Sequence, residues 1–114
     1  MERREVHVVA SDPLLRRALI AKLRSAQLEG VVMPEHDGRD RAPRPGDVVI
    51  TPAADCDLQR CADLTGAGVR VIILAPIPRE SERQHYLGVG ASGYVLMTID
   101  SNDLIEAIRT TIAN

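Results

Sequence analysis

With 114 residues, the chain is long enough for one ordinary domain and too short for two. Its 45% hydrophobic and 26% charged residues exclude a disordered or fibrous chain, and a net charge of −2 argues against a general polyanion binder. Two tyrosines, Tyr86 and Tyr94, are the whole aromatic complement, so the core must be aliphatic.

Val6 to Ala10 is a short apolar run suited to a strand buried on both faces. Ser11-Asp12-Pro13 starts a helix: Asp12 can accept from exposed N–H groups, and Pro13 lacks only a donor that the first turn leaves unused. Leu15, Ala18, Leu19, Leu23 and Ala26 then line one face at helical spacing. Gly30 ends the helix or its turn, and Val31-Val32-Met33 is a candidate second strand. From Pro34 to Gly46, prolines and glycines interrupt alternating charges, which predicts mostly loop.

Asp47 to Thr51 forms a third strand stopped by Pro52, and a helix follows from about Cys56 through Leu64. Arg70 to Ala75 is a fourth strand, Arg79 to Leu87 a helix, and Tyr94 to Met97 a fifth strand. Asp100 or Ser101 caps a last helix that turns Leu104, Ile105, Ile108 and Ile112 inward. Apolar strands alternating with helices predict an α/β domain with a doubly wound parallel sheet, flavodoxin-like in its order 2-1-3-4-5. One domain over 1–114 is expected, with helix two eroded or missing and any site at the carboxyl ends of the strands.

Several possible sites fail on context. Gly88-x-Gly90-x-x-Gly93 has the spacing of a dinucleotide loop but follows a helix and precedes a strand, the reverse of what a phosphate cradle requires. Its glycines are expected to serve a helix end and a tight turn. His7, His36 and His85 show no ligand spacing. Cys56 and Cys61 match neither a redox pair nor a zinc half-site and read as reduced packing thiols. No cofactor or metal is implied. No run approaches the roughly 20 apolar residues of a membrane span, and no secretory leader is readable, so a cytoplasmic protein without a membrane partner is expected.

Two stretches resemble the receiver (CheY-like) domain of response regulators. Val8-Val9-Ala10-Ser11-Asp12-Pro13-Leu14-Leu15-Arg16 sits where receivers read Val-Val-Asp-Asp-x-Pro-Leu-Leu-Arg, and Gly90-Ala91-Ser92-Gly93-Tyr94-Val95-Leu96-Met97 matches Gly-Ala-x-Gly-Tyr-x-x-Lys. The flavour is that of receivers in LuxR/NarL-type transcription regulators.

The resemblance implies a pocket that holds Mg²⁺ with two acids after strand one, phosphorylates an Asp ending strand three, and binds the phosphoryl group with a hydroxyl after strand four and a Lys after strand five. Here the acid pair falls on Ala10 and Ser11, with Asp12 the nearest surviving acid. The acceptor falls on Pro52 or Thr51, the hydroxyl on Ala75 and the Lys on Met97. The chain has one lysine, Lys22, which lies in the first helix pattern, so no shift of alignment supplies the ammonium. Asp55 and Asp57 are the only nearby substitute acceptors.

These positions imply a degenerate, phosphorylation-independent pseudo-receiver rather than an enzyme. It would act as a homodimer or with another regulatory protein through the family's helix four–strand five–helix five face, where Arg79, Arg83, Tyr86, Tyr94, Ile105 and Arg109 are the candidate contacts. DNA would be reached only through an output domain that this chain does not include. Tyr94 occupies the switch-aromatic position, as a locked ring, an interface contact or a space-filling edge residue. The alternatives are a small-molecule sensor using the uncharged former pocket and, further off, a flavodoxin- or Rossmann-type nucleotide-binding enzyme.

Overall fold

The structure, a computed structural model, describes residues 4–26, 31–32, 42–97 and 103–113. In chain order these form β1 (Arg4–Val8), α1 (Pro13–Ala26), β2 (Val31–Val32), β3 (Val48–Pro52), a 3₁₀ turn (Ala53–Asp55), α2 (Leu58–Gly66), β4 (Arg70–Ala75), α3 (Glu80–Gly88), β5 (Gly93–Leu96) and α4 (Asp103–Ala113). The helices expected as third, fourth and fifth are thus α2, α3 and α4. Met33, the eroded helix two and the Asp100 or Ser101 cap lie outside the described residues.

All strand pairs are parallel. β1, β3, β4 and β5 form one continuous ladder, and the two-residue β2 adds to the outer side of β1, giving the order β2-β1-β3-β4-β5. The alternation of side chains sorts the β4 run Val71-Ile72-Ile73-Leu74 between two layers. Ile72 and Leu74 join Leu19, Ile20 and Leu23 of α1 and Leu104, Ile105 and Ile108 of α4. Val71 and Ile73 join Cys56, Cys61 of α2 and Tyr86 of α3 on the other face. Ile20, which the periodicity left out, is among the most buried residues of α1, and Arg70 donates from its guanidinium to the Thr111 carbonyl, tying α4 to β4.

Local chemistry moves several boundaries. β1 covers Arg4–Val8 rather than reaching Ala10, although the Val9 N–H still donates to the Ile50 carbonyl at 2.9 Å. Pro52 is the last paired residue of β3, not the residue that stops it. The 3₁₀ turn takes Ala53–Asp55, and Asp57 caps α2 by accepting from Arg60 N–H at 2.8 Å, so the helix starts at Leu58 instead of Cys56. Of the three glycines in the rejected dinucleotide pattern, only Gly90 has a positive φ (103°); Gly88 ends α3 and Gly93 opens β5.

Candidate functional site: the carboxyl rim of the sheet

Parallel strands end on one edge, so the positions singled out by the resemblance gather there. The pairings Pro52↔Leu74 and Ala75↔Leu96 set the ends of β3, β4 and β5 side by side. Ala10 is half-buried, whereas Ser11 and Asp12 face solvent. Asp12 serves α1: its Oδ1 accepts from Leu14 N–H at 2.9 Å and Leu15 N–H at 3.4 Å. Thr51 is buried and donates its hydroxyl to the Pro52 carbonyl at 3.3 Å. Ala75 is fully buried, and Met97 packs its thioether against the α1–α4 core while its N–H donates to the Ala75 carbonyl at 2.8 Å.

The two acids beyond β3 are engaged in structure. Asp55 accepts from Ser11 N–H at 3.1 Å, joining the β1 and β3 ends, and Asp57 is the α2 cap. Lys22 lies within α1. The rim therefore combines buried, uncharged walls with exposed apolar side chains: Leu14 (76% exposed), Ile77 (69%) and Leu96 (42%). Sequence reasoning missed Leu96 as a surface residue, although it stands two positions after Tyr94 on the same face of the β5 edge strand.

Tyr94 is held at its hydroxyl and its ring. The hydroxyl accepts from Arg79 N–H at 3.2 Å, at the start of α3, and donates to Glu82 Oε1 at 2.5 Å. Its ring stacks on Tyr86, with centroids 6.1 Å apart and planes inclined by 26°. Burial and the Glu82 hydrogen bond push the Tyr94 phenol above its ordinary range.

The candidate contacts divide. Arg79, Arg83 and Arg109 are exposed, the latter two paired with Glu80 at 3.2 Å and Glu106 at 3.0 Å. Tyr86 and Ile105 are only 5% and 6% exposed, so neither offers much surface to a partner. Tyr86 packs into the second core layer, where its hydroxyl donates to the Cys56 carbonyl at 2.7 Å, and burial raises its phenol to about 12. Ile105 follows the inward stripe of α4. An open groove of about 600 Å³ runs between α2 and α3, lined by Asp57, Leu58, Arg79, Glu82, His85 and Tyr86.

Cys56 and Cys61 are buried, free thiols; burial, then the neighbouring Cys61, lifts Cys56 to about 11, and burial raises Cys61 too.

At the opposite, amino edge lies a group that sequence spacing did not reveal. His7 Nε2 is 3.0 Å from Asp47 Oδ2 and 3.7 Å from Glu5 Oε2. Burial opposes ionisation of Asp47, but N–H donation from Arg44 and Glu5, and then His7, holds its carboxyl below the usual range. The partners are 40 residues apart, so only the β1–β3 register brings them together.

The signal receiver domain of a response regulator designated NarL from Mycobacterium tuberculosis superposes with a TM-score of 0.74 at 17% identity, covering 100% of this chain and 99% of that one. The chain has the receiver fold. A response regulator from Thermotoga maritima gives a TM-score of 0.72 at 15% identity, covering 99% of this chain and 100% of that one. HP1043, an orphan response regulator of H. pylori, gives 0.69 at 17% identity, covering 97% and 99%. The chain matches no family model and no curated protein sequence. On this receiver fold, among the described residues, no helix is long and apolar enough to cross a membrane.

Proposed function

We propose that this chain is a phosphorylation-independent receiver-like module, with no phosphotransfer activity of its own, that signals through protein contact. One observation carries the reading: the position of the phosphate-binding Lys is Met97, a half-buried side chain packed against the α1–α4 core, while the sole lysine lies in α1. Charge gathering on a transferred phosphoryl group has no cationic side chain to meet it there, and Ala10 and Ser11 supply no carboxylates for Mg²⁺. The buried Ala75 and Thr51 support a filled pocket over a small-molecule sensor.

The surface that remains for signalling is the α3–β5–α4 face, carrying Arg79, Arg83, Tyr94, Leu96 and Arg109, with a second copy or another regulatory protein as partner. Control of transcription, through an output domain outside this sequence, accords with the resemblance to receivers of LuxR/NarL type. The test is incubation with acetyl phosphate and Mg²⁺ followed by intact-mass measurement. The unmodified mass is expected; stoichiometric gain of a phosphoryl group would overturn the reading.

A further inference from the structure

The amino edge of the sheet carries a set of donor atoms unrelated to the rim. Glu5 and His7 are two apart on β1, so their side chains leave the same face of the strand. The register pairing Val6 with Val48 brings Asp47, which precedes β3, beside them. One ligand atom from each residue lies within 4.8 Å of the others, and among the described residues no other group of three His, Cys, Asp or Glu side chains meets that spacing. Ligands of a tetrahedral ion with bonds of about 2.0–2.1 Å stand roughly 3.3 Å apart, so binding would draw the three donor atoms closer together.

Two further features suit an ion. Asp47 is oriented in advance: its Oδ1 accepts from Glu5 N–H at 3.1 Å and its Oδ2 from Arg44 N–H at 2.9 Å, the kind of backing that fixes a ligating carboxylate. Two carboxylates also converge on one imidazole nitrogen, which has at most one proton to share between them. The Arg44 guanidinium also pairs with Glu5, 3.6 Å from its other oxygen, and is mostly exposed.

We propose that Glu5, His7 and Asp47 form a binding site for a divalent transition-metal ion of the zinc class, with water completing its shell. An imidazole beside two carboxylates selects zinc, cobalt or nickel over magnesium and calcium, which favour all-oxygen shells. The ion joins β1 to the turn before β3, so binding requires the folded sheet and stabilises it.

The experiment uses the full chain freed of metal with a chelator. Cobalt(II) is titrated by visible absorption and zinc(II) by calorimetry, with magnesium(II) for contrast. One zinc-class ion per chain is expected, with a rise in melting temperature, a shifted His7 imidazole nitrogen resonance and no response to magnesium. His7→Gln, which retains a donor for Asp47, should weaken zinc binding at least tenfold, and Glu5→Gln should also weaken it; His36→Gln and His85→Gln should leave it unchanged. Absence of binding, a wild-type affinity in His7→Gln, or loss in His36→Gln or His85→Gln would each overturn the site. If His7→Gln does not fold, Glu5→Gln and the wild-type His7 resonance decide.

Discussion

In the resemblance to receivers Met97 falls at the lysine position, and its side chain packs against the α1–α4 core. Adding the charge back does not rebuild the pocket, because Ala10 and Ser11 still supply no carboxylates for a metal. Met97→Lys is therefore expected to gain no phosphoryl group from acetyl phosphate and to lose about 1–3 kcal/mol of stability through lost packing, read from urea unfolding. Tyr94→Phe keeps the stack on Tyr86 but removes the hydroxyl between Arg79 N–H and Glu82. A loss of about 1 kcal/mol is expected, with amide shifts confined to α3 and β5. On the alkaline side, Cys56 and Tyr86 contribute to the pH response at this scale. Burial favours their neutral forms, raising them from 9.0 to about 11 and from 10.0 to about 12. Their contribution is complete below the lower values and is lost as pH climbs through the higher ones. Stability should thus decline from about pH 9 upward, and thiol alkylation should stay slow at pH 8 until denaturant is added.

At the scale of elements, the helix starts and the α3–β5 turn are the points most sensitive to substitution. Asp12→Ala and Asp57→Ala each remove the carboxylate that caps a helix, of α1 and α2 respectively. Each should lower stability by about 0.5–2 kcal/mol in denaturant titrations. Gly90 has a φ of 103°, and an added Cβ would lie 2.9 Å from Thr65 Oγ1, so Gly90→Ala should cost more than about 1 kcal/mol. The alternation of strands and helices was legible in the sequence because buried strands are short apolar runs and the helices carry readable caps and stripes. The limits of β1 and the 3₁₀ turn were not, since they depend on which backbone groups find partners across the sheet. The rim was legible through its resemblance to receivers. The Glu5–His7–Asp47 group was not, because no local spacing encodes a partner 40 residues away. Ile105 is the reverse case: the inward stripe of α4 carries it into the core, which leaves it little surface for a contact.

For the whole molecule, two core layers cover the two faces of the sheet, and the proposed contact falls on the outer α3–β5–α4 face. Arg83–Glu80 and Arg109–Glu106 are exposed pairs, each within its own helix and screened by solvent, so they contribute little to a contact between copies. The apolar contribution to an α3–β5–α4 dimer would come from Leu96 and Tyr94. Sedimentation at rising concentration should show self-association that Leu96→Glu weakens; a strict monomer at high concentration would remove the dimer. The choice of probe matters in that experiment. The one lysine side chain lies on α1, and both thiols are sealed inside the fold. Amine- and thiol-directed cross-linkers therefore have no side-chain handle at the β5 edge, and a blank gel from such reagents would report their blindness rather than solitude. Zero-length tyrosine coupling or carboxyl-directed chemistry reaches that surface instead.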